Sequence, residues 1–200
     1  LPRSVLTRAG KSGMPPGAIV HVGTPKSSTS IINATLYSGQ EITDLRETSI
    51  EEAIKLARQA DKSAGRYAWI NIDGLADLDI LKQVGDAFMI HPLILEDISN
   101  TSQRPKAEHY DQYSFIVLRS YAISERKHIE SEQVSLILGD SFLITVQEKS
   151  GDAFLKISER LKNSDTRLRI NPQDYLAYTV LDCIVDEYLS VLEFIGVKLE

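Results

Sequence analysis

Apolar and polar positions alternate over residues 31–37, which predicts a strand. A shorter strand is expected at 18–23, followed by a loop over 24–30 rich in Ser, Thr, Pro and Lys. The period then changes to that of a helix. Ser49 is a plausible N-cap with Glu52 three residues on, a capping-box pattern, and Ile50, Ala53, Ile54, Ala57 and Ala60 form an apolar face. Aromatic and β-branched residues over 67–72 predict a strand. Leu78, Leu81, Val84, Gly85 and Phe88 give a second helix over 77–88. Pro92 suits the first turn of a short third helix, 92–99, with His91 as a structural residue at its N-terminus. A long strand is expected over 113–121. Residues 134–138 and 141–146 flank Gly139-Asp140 as a tight hairpin. Both arms are almost continuously apolar, so they should lie at the centre of the sheet, covered on both faces. A helix follows over 152–163. Asn171 as N-cap, Pro172 as first helical residue and Asp174 in the first turn open a last helix that runs to Glu200 without a stop signal.

This order is not a regular βαβ alternation. It predicts an α+β chain folded as an α/β/α sandwich, a mixed parallel and antiparallel sheet covered by helices on both faces. The expected organisation is a flexible lead-in (1–17), one α/β/α domain (18–170) and an acidic helix (171–200) continuing beyond the last residue.

Composition adds limits. Two hundred residues, 42% apolar and 25% charged, are enough for a sizeable core. A net charge of −6 argues against a basic nucleic-acid surface, so no nucleic-acid partner is expected. The lone Cys183 can form no internal disulfide and reads as a buried, inert thiol, suited to a reducing compartment. No apolar run reaches the roughly 18 residues of a membrane span, and the polar start does not read as a secretory signal. The chain therefore reads as soluble.

Candidate chemistry is sparse. There is no phosphate loop, no metalloprotease motif and no cysteine-cluster zinc spacing. His21, His91, His109 and His128 are scattered, and Ser135 and Ser141 carry no sign of activation. No set of nucleophile and base stands out, so an enzyme is not expected. Carboxylates remain. Glu96 and Asp97 stand near the exit of the 92–99 helix, where the macrodipole disfavours acids. On the last helix Asp182, Asp186, Glu193 and Glu200 fall in one stripe, with Leu181, Ile184, Val185, Tyr188, Leu192 and Ile195 elsewhere. Such oxygens suit a hard divalent cation. From spacing alone, a solvated acidic face is the stronger reading of both groups.

Four stretches in order resemble one family: His91-Pro92-Leu93-Ile94-Leu95-Glu96-Asp97-Ile98, Gln103-Arg104-Pro105-Lys106, Ser131-Glu132-Gln133-Val134-Ser135-Leu136-Ile137-Leu138 and Val146-Gln147-Glu148. Together they look like the cytosolic N-terminal domain of CorA-type magnesium transporters, over about residues 15–200. The resemblance implies a regulatory domain of a Mg²⁺/Co²⁺ transport protein at the cell (inner) membrane. It implies a homopentamer that reaches the membrane through C-terminal helices this sequence lacks. Its regulatory ligand would be Mg²⁺, or Co²⁺ or another divalent cation. By position Glu96 and Asp97 match the family's intersubunit acidic pair. Asp182 matches a second ligand and Asp186 is a further candidate. A remaining partner carboxylate would lie on a stalk helix beyond Glu200. The family's Gly-Met-Asn pore signature is absent, since Gly13-Met14-Pro15 is not that motif. Two alternatives stay open: a zinc-specific member of the superfamily, or a stand-alone cation-binding domain or enzyme on this fold.

Overall fold

A computed structural model describes residues 15, 17–124, 127–149, 152–164 and 166–199. Seven strands form one sheet: β1 (Ile31–Tyr37), β2 (Ile42–Leu45), β3 (Tyr67–Asp73), β4 (Lys106–His109), β5 (Tyr113–Ile123), β6 (Ile129–Gly139) and β7 (Phe142–Gln147). Their spatial order is β2-β1-β3-β7-β6-β5-β4. Only β3 and β7 pair in parallel; every other neighbouring pair is antiparallel. The hairpin arms β6 and β7 are central, as their apolar runs predict.

Among the described residues six α-helices cover the two faces: α1 (Ile50–Ala57), α2 (Asp79–Phe88), α3 (Pro92–Ser99), α4 (Asp152–Lys162), α5 (Arg167–Ile170) and α6 (Gln173–Leu199). Alternation along the central strands explains the layering. Ile70 and Ile72 of β3 and Ile144 and Val146 of β7 join one core with Ile54, Leu81, Ile94 and Ile98 from α1, α2 and α3. Trp69 and Leu143 point the other way, onto Phe154, Ile157, Leu168, Leu176 and Val180 from α4, α5 and α6. The expected α/β/α sandwich with a mixed sheet is what forms.

The second face carries a polar ladder along the parallel pair. Trp69 Nε1 donates to Thr145 Oγ1 (2.9 Å), and Thr145 Oγ1 donates to Asn71 Oδ1 (2.7 Å). Asn71 Nδ2 and Gln147 Nε2 both donate to Asp73 Oδ1, at 3.0 and 2.6 Å. All five side chains are buried, so each bond answers a group taken out of water.

Several local expectations change. Residues 18–23 form no strand; Val22 makes a single parallel bridge to Asn100, because its backbone bonds run to the exit of α3. Both edge strands, β2 and β4, lack an alternating apolar signal: none of their residues is fully buried, and each strand is partly wet on both sides. Ser49 does cap α1, accepting from Glu52 N at 3.2 Å, but the Glu52 carboxylate takes the Thr48 hydroxyl (2.6 Å) and does not close the box. Asn171 does not cap α6: its amide donates to Arg167 O (2.7 Å) and closes α5, and α6 begins at Gln173. Most of the expected lead-in, and Glu200, lie outside the described residues.

Candidate functional site

The Glu96–Asp97 pair is positioned by α3, and the sequence shows why α3 forms. His91 is its N-cap, with Nδ1 accepting from Leu93 N at 3.2 Å, and Pro92 supplies the first helical residue. The His91 backbone N–H donates to Tyr113 OH (3.0 Å), tying the helix start to β5. Ile94, Leu95 and Ile98 go into the core and leave Glu96 and Asp97 half-buried on the outer side. At α2 the helix lies so close that a Cβ on Gly85 would stand 2.4 Å from Leu95 Cδ1.

Both acids are engaged within the chain. Glu96 Oε2 accepts from Gly17 N at 2.8 Å. Gly17 has φ +80°, and a Cβ there would stand 2.9 Å from Pro92 Cβ, so only glycine fits this approach. Asp97 Oδ1 accepts from the Gln103 side-chain amide, and Oδ2 lies 2.6 Å from Lys106 Nζ. Lys106 also lies 2.9 Å from Glu108 Oε1, whose other oxygen accepts from Tyr110 OH (2.9 Å). Burial pulls the Lys106 ammonium down, but its bonds to Asp97 and Glu108 outweigh burial and raise it above the ordinary lysine range. The bonds from Lys106 and Tyr110 hold the Glu108 carboxyl below its usual range.

Beneath the pair, buried Gln133 donates its amide to the carbonyls of Asp97 (3.2 Å) and Ile98 (3.3 Å). These are last-turn carbonyls; the Asn100 N–H reaches that of Asp97 at 3.3 Å, and Gln133 adds a side-chain donor to both. Gln133 N donates in turn to Glu148 Oε1 (2.6 Å), which also meets Lys26 (3.1 Å) and Arg119 (3.8 Å). Arg119 Nη2 donates to Thr101 O (2.6 Å). Gln133 and Glu148 thus anchor the segment that carries the acids.

Asp182 and Asp186 sit elsewhere. Leu176, Ala177, Val180, Ile184 and Val191 of α6 are buried at helical spacing, and both aspartates are on the exposed side. That side also presents Tyr178, Val185, Leu189 and Leu192, each more than half exposed. Of the apolar residues set apart from the acidic stripe, Val185, Leu192 and Ile195 are therefore not core residues. Since α3 packs in one core and α6 in the other, the sheet separates the two acid pairs. Oxygen donors of this kind fit a hard cation that keeps much of its water. Their number in one chain does not complete a site: among the described residues no group of three or more His, Cys, Asp or Glu could hold a metal ion.

Sequence reasoning did not give Lys106, Gln103, Gln133 or Gly17 a role at the acid pair. Their partners lie between 6 and 79 residues away along the chain, beyond what helical or strand spacing reports. The shared occurrence of Gln103, Lys106 and Gln133 in the quoted stretches was the available signal.

A family model for CorA-like Mg²⁺ transporter proteins matches residues 64–200. The chain is 37% identical over 191 residues to the cobalt/magnesium transport protein CorA of Thermotoga maritima, covering 95% of this chain and 53% of that protein. It is 32% identical over 126 residues to the putative metal ion transporter YfjQ of Bacillus subtilis, covering 63% of this chain and 38% of that one. The chain thus spans about half, or less, of the length of these curated relatives. The soluble domain of CorA from Methanocaldococcus jannaschii shares the fold, with TM-score 0.56, 16% identity, and coverage of 83% of this chain and 61% of that one. So does the cytoplasmic domain of ZntB from Vibrio parahaemolyticus, with TM-score 0.56, 14% identity, and coverage of 80% and 61%. No helix among the described residues is long and apolar enough to cross a membrane. The chain belongs to the CorA-like Mg²⁺ transporter family.

Proposed function

We propose that this chain is the cytosolic regulatory domain of a Mg²⁺/Co²⁺ transport protein, and that it senses divalent cations through carboxylates shared between subunits. One observation carries the reading. Glu96–Asp97 and Asp182/Asp186 lie in opposite layers of the sandwich, so one chain cannot bring them to a common ion. A neighbouring copy can. The name of the Thermotoga maritima relative supplies the cation class.

The physics of such a sensor is simple. Facing carboxylates repel; a pair of unit charges at 4 Å costs about 1 kcal/mol in water and about 4 kcal/mol at an effective dielectric of 20. A bridging divalent ion removes the repulsion and holds neighbouring domains together. In a homopentamer, five equivalent sites that bind only the closed state each contribute about 1.4 kcal/mol at ten times the dissociation constant, roughly 7 kcal/mol together. Moving a population from 1:99 to 99:1 takes about 5.5 kcal/mol. Weak sites therefore suffice when summed over a ring, and one alone does not. High Mg²⁺ then favours a closed, symmetric state and low Mg²⁺ releases the domains. The domain itself performs no catalysis in this reading.

The test is a flux assay on the full-length protein. Glu96→Ala combined with Asp97→Ala is expected to weaken inhibition by internal Mg²⁺, with the half-inhibiting concentration rising several-fold. Inhibition indistinguishable from wild type would sink the proposal.

A further inference from the structure

The Asp97 carboxylate already holds a cation. Lys106 Nζ stands 2.6 Å from its Oδ2 and 2.9 Å from Glu108 Oε1, so the ammonium sits between two carboxylates. The Phe115 ring lies beneath it, 5.4 Å from Nζ to the centroid. Gln103 and Tyr110 hold the outer oxygens of the two acids. The lysine stem runs along β4, whose residues Lys106 and Glu108 share one side of the strand. A compact positive charge flanked by two carboxylates is where a small oxygen-seeking cation would be drawn if the lysine were neutral.

We infer that Lys106 is a tethered counter-cation that sets the divalent-ion concentration at which Asp97 responds. The inference rests on the sensing role proposed above for the acid pair. Without a divalent ion, the ammonium neutralises Asp97 and holds the end of α3 to the sheet edge. An arriving ion has two routes. It displaces the ammonium from Oδ2, or it binds beside the ammonium against a like charge. Each route raises the concentration needed for binding. The tether makes the competitor's local concentration fixed, so the threshold belongs to the chain and does not depend on the surrounding salt alone. Glu108 has a part in this device: it keeps the ammonium seated without adding a direct bond to the acid pair.

The test uses the full-length protein and MgCl₂ as the probe. Limited proteolysis is followed as MgCl₂ is titrated, and the midpoint of protection is read. Lys106→Met keeps the stem over Phe115 and removes the charge; Lys106→Gln serves as the second variant should the first not fold. Either is expected to lower the midpoint roughly three- to tenfold, the effect of losing one nearby like charge at a partly exposed site. Lys106→Arg, which keeps the charge, is expected to stay within about twofold of wild type, a rescue that a merely structural lysine would not require. Asp97→Asn should raise the midpoint or abolish protection. In the Asp97→Asn background the lysine substitution should lose its effect, since the two act on one site. A midpoint that Lys106→Met and Lys106→Gln leave unchanged or raise, while Asp97→Asn shifts it, overturns the counter-cation inference and leaves the sensing role intact. A midpoint that Asp97→Asn also leaves unchanged removes both.

Discussion

Glu132 of β6 is buried close to the end of the β6–β7 hairpin, where Lys149 N donates to its Oε2 at 3.1 Å. Burial raises its carboxyl from 4.5 to about 7, against the opposing pull of that bond and of the Lys149 and Lys26 charges; Glu148 adds to the rise. Between those two values the folded chain holds a proton that the unfolded chain has released. Stability from this group is therefore present below pH 4.5 and is lost as pH rises towards 7. At about 1.4 kcal/mol per pKa unit, the loss is capped at about 3–4 kcal/mol. Glu132→Gln keeps the acceptor for Lys149 N and cannot ionise. It is expected to melt at a higher temperature than wild type at pH 8 and at nearly the same temperature at pH 4.5. Equal melting temperatures at pH 8 would show that the carboxylate is accommodated by its cationic neighbours after all.

At the scale of elements, the parallel β3–β7 pair is both the middle of the sheet and its most polar seam. Thr145 accepts from Trp69 and donates to Asn71, so it links two residues of the neighbouring strand. Thr145→Val keeps the shape and removes both bonds. It leaves buried Trp69 Nε1 without a partner and Asn71 Oδ1 with only the long bond from Gln147 Nε2 (3.4 Å), which predicts a loss of about 1–3 kcal/mol from the unmet donor. Urea unfolding of the variant measures it; a change under about 0.5 kcal/mol would mean that water replaces the hydroxyl. The same seam shows what can be read from sequence. The apolar arms β6 and β7, the aromatic strand β3 and the proline-led α3 were legible, because burial on one or both faces writes a period into the residues. The edge strands β2 and β4 were not, because each pairs on one side only and stays partly wet. Residues 18–23 misled for the opposite reason: they have strand composition, but Val22 bonds with Ser99 and Thr101 at the exit of α3. In the candidate site, the acids stood out as a misfit at a helix end. Their counter-cation did not, since Lys106 meets Asp97 only after β4 has been laid beside β5.

At the scale of the whole molecule, the two acid pairs are separated by the sheet, one on the α3 layer and one on the α6 layer. A contact that joins them between copies mates two unlike surfaces. Such an interface is heterologous: with the two surfaces on opposite layers it is not the self-complementary contact of a two-fold dimer, and it continues from copy to copy, as a ring where the rotation closes and as an open filament where it does not. Each subunit then has a giving side and a receiving side, and damage to either can be told apart by complementation. Full-length chains carrying Asp97→Asn alone, or Asp182→Asn alone, should each lose Mg²⁺ protection. Co-expressed, they should regain part of it, because an intact Asp97 on one chain meets an intact Asp182 on the next. Recovery no greater than either uniform assembly would count against the pairing of unlike faces. If the proposed pairing holds, the separation of the acids by one sheet gives the assembly a direction. Under the proposed pairing, each subunit would be incomplete alone, and a lesion in one could be repaired by a neighbour with a different one.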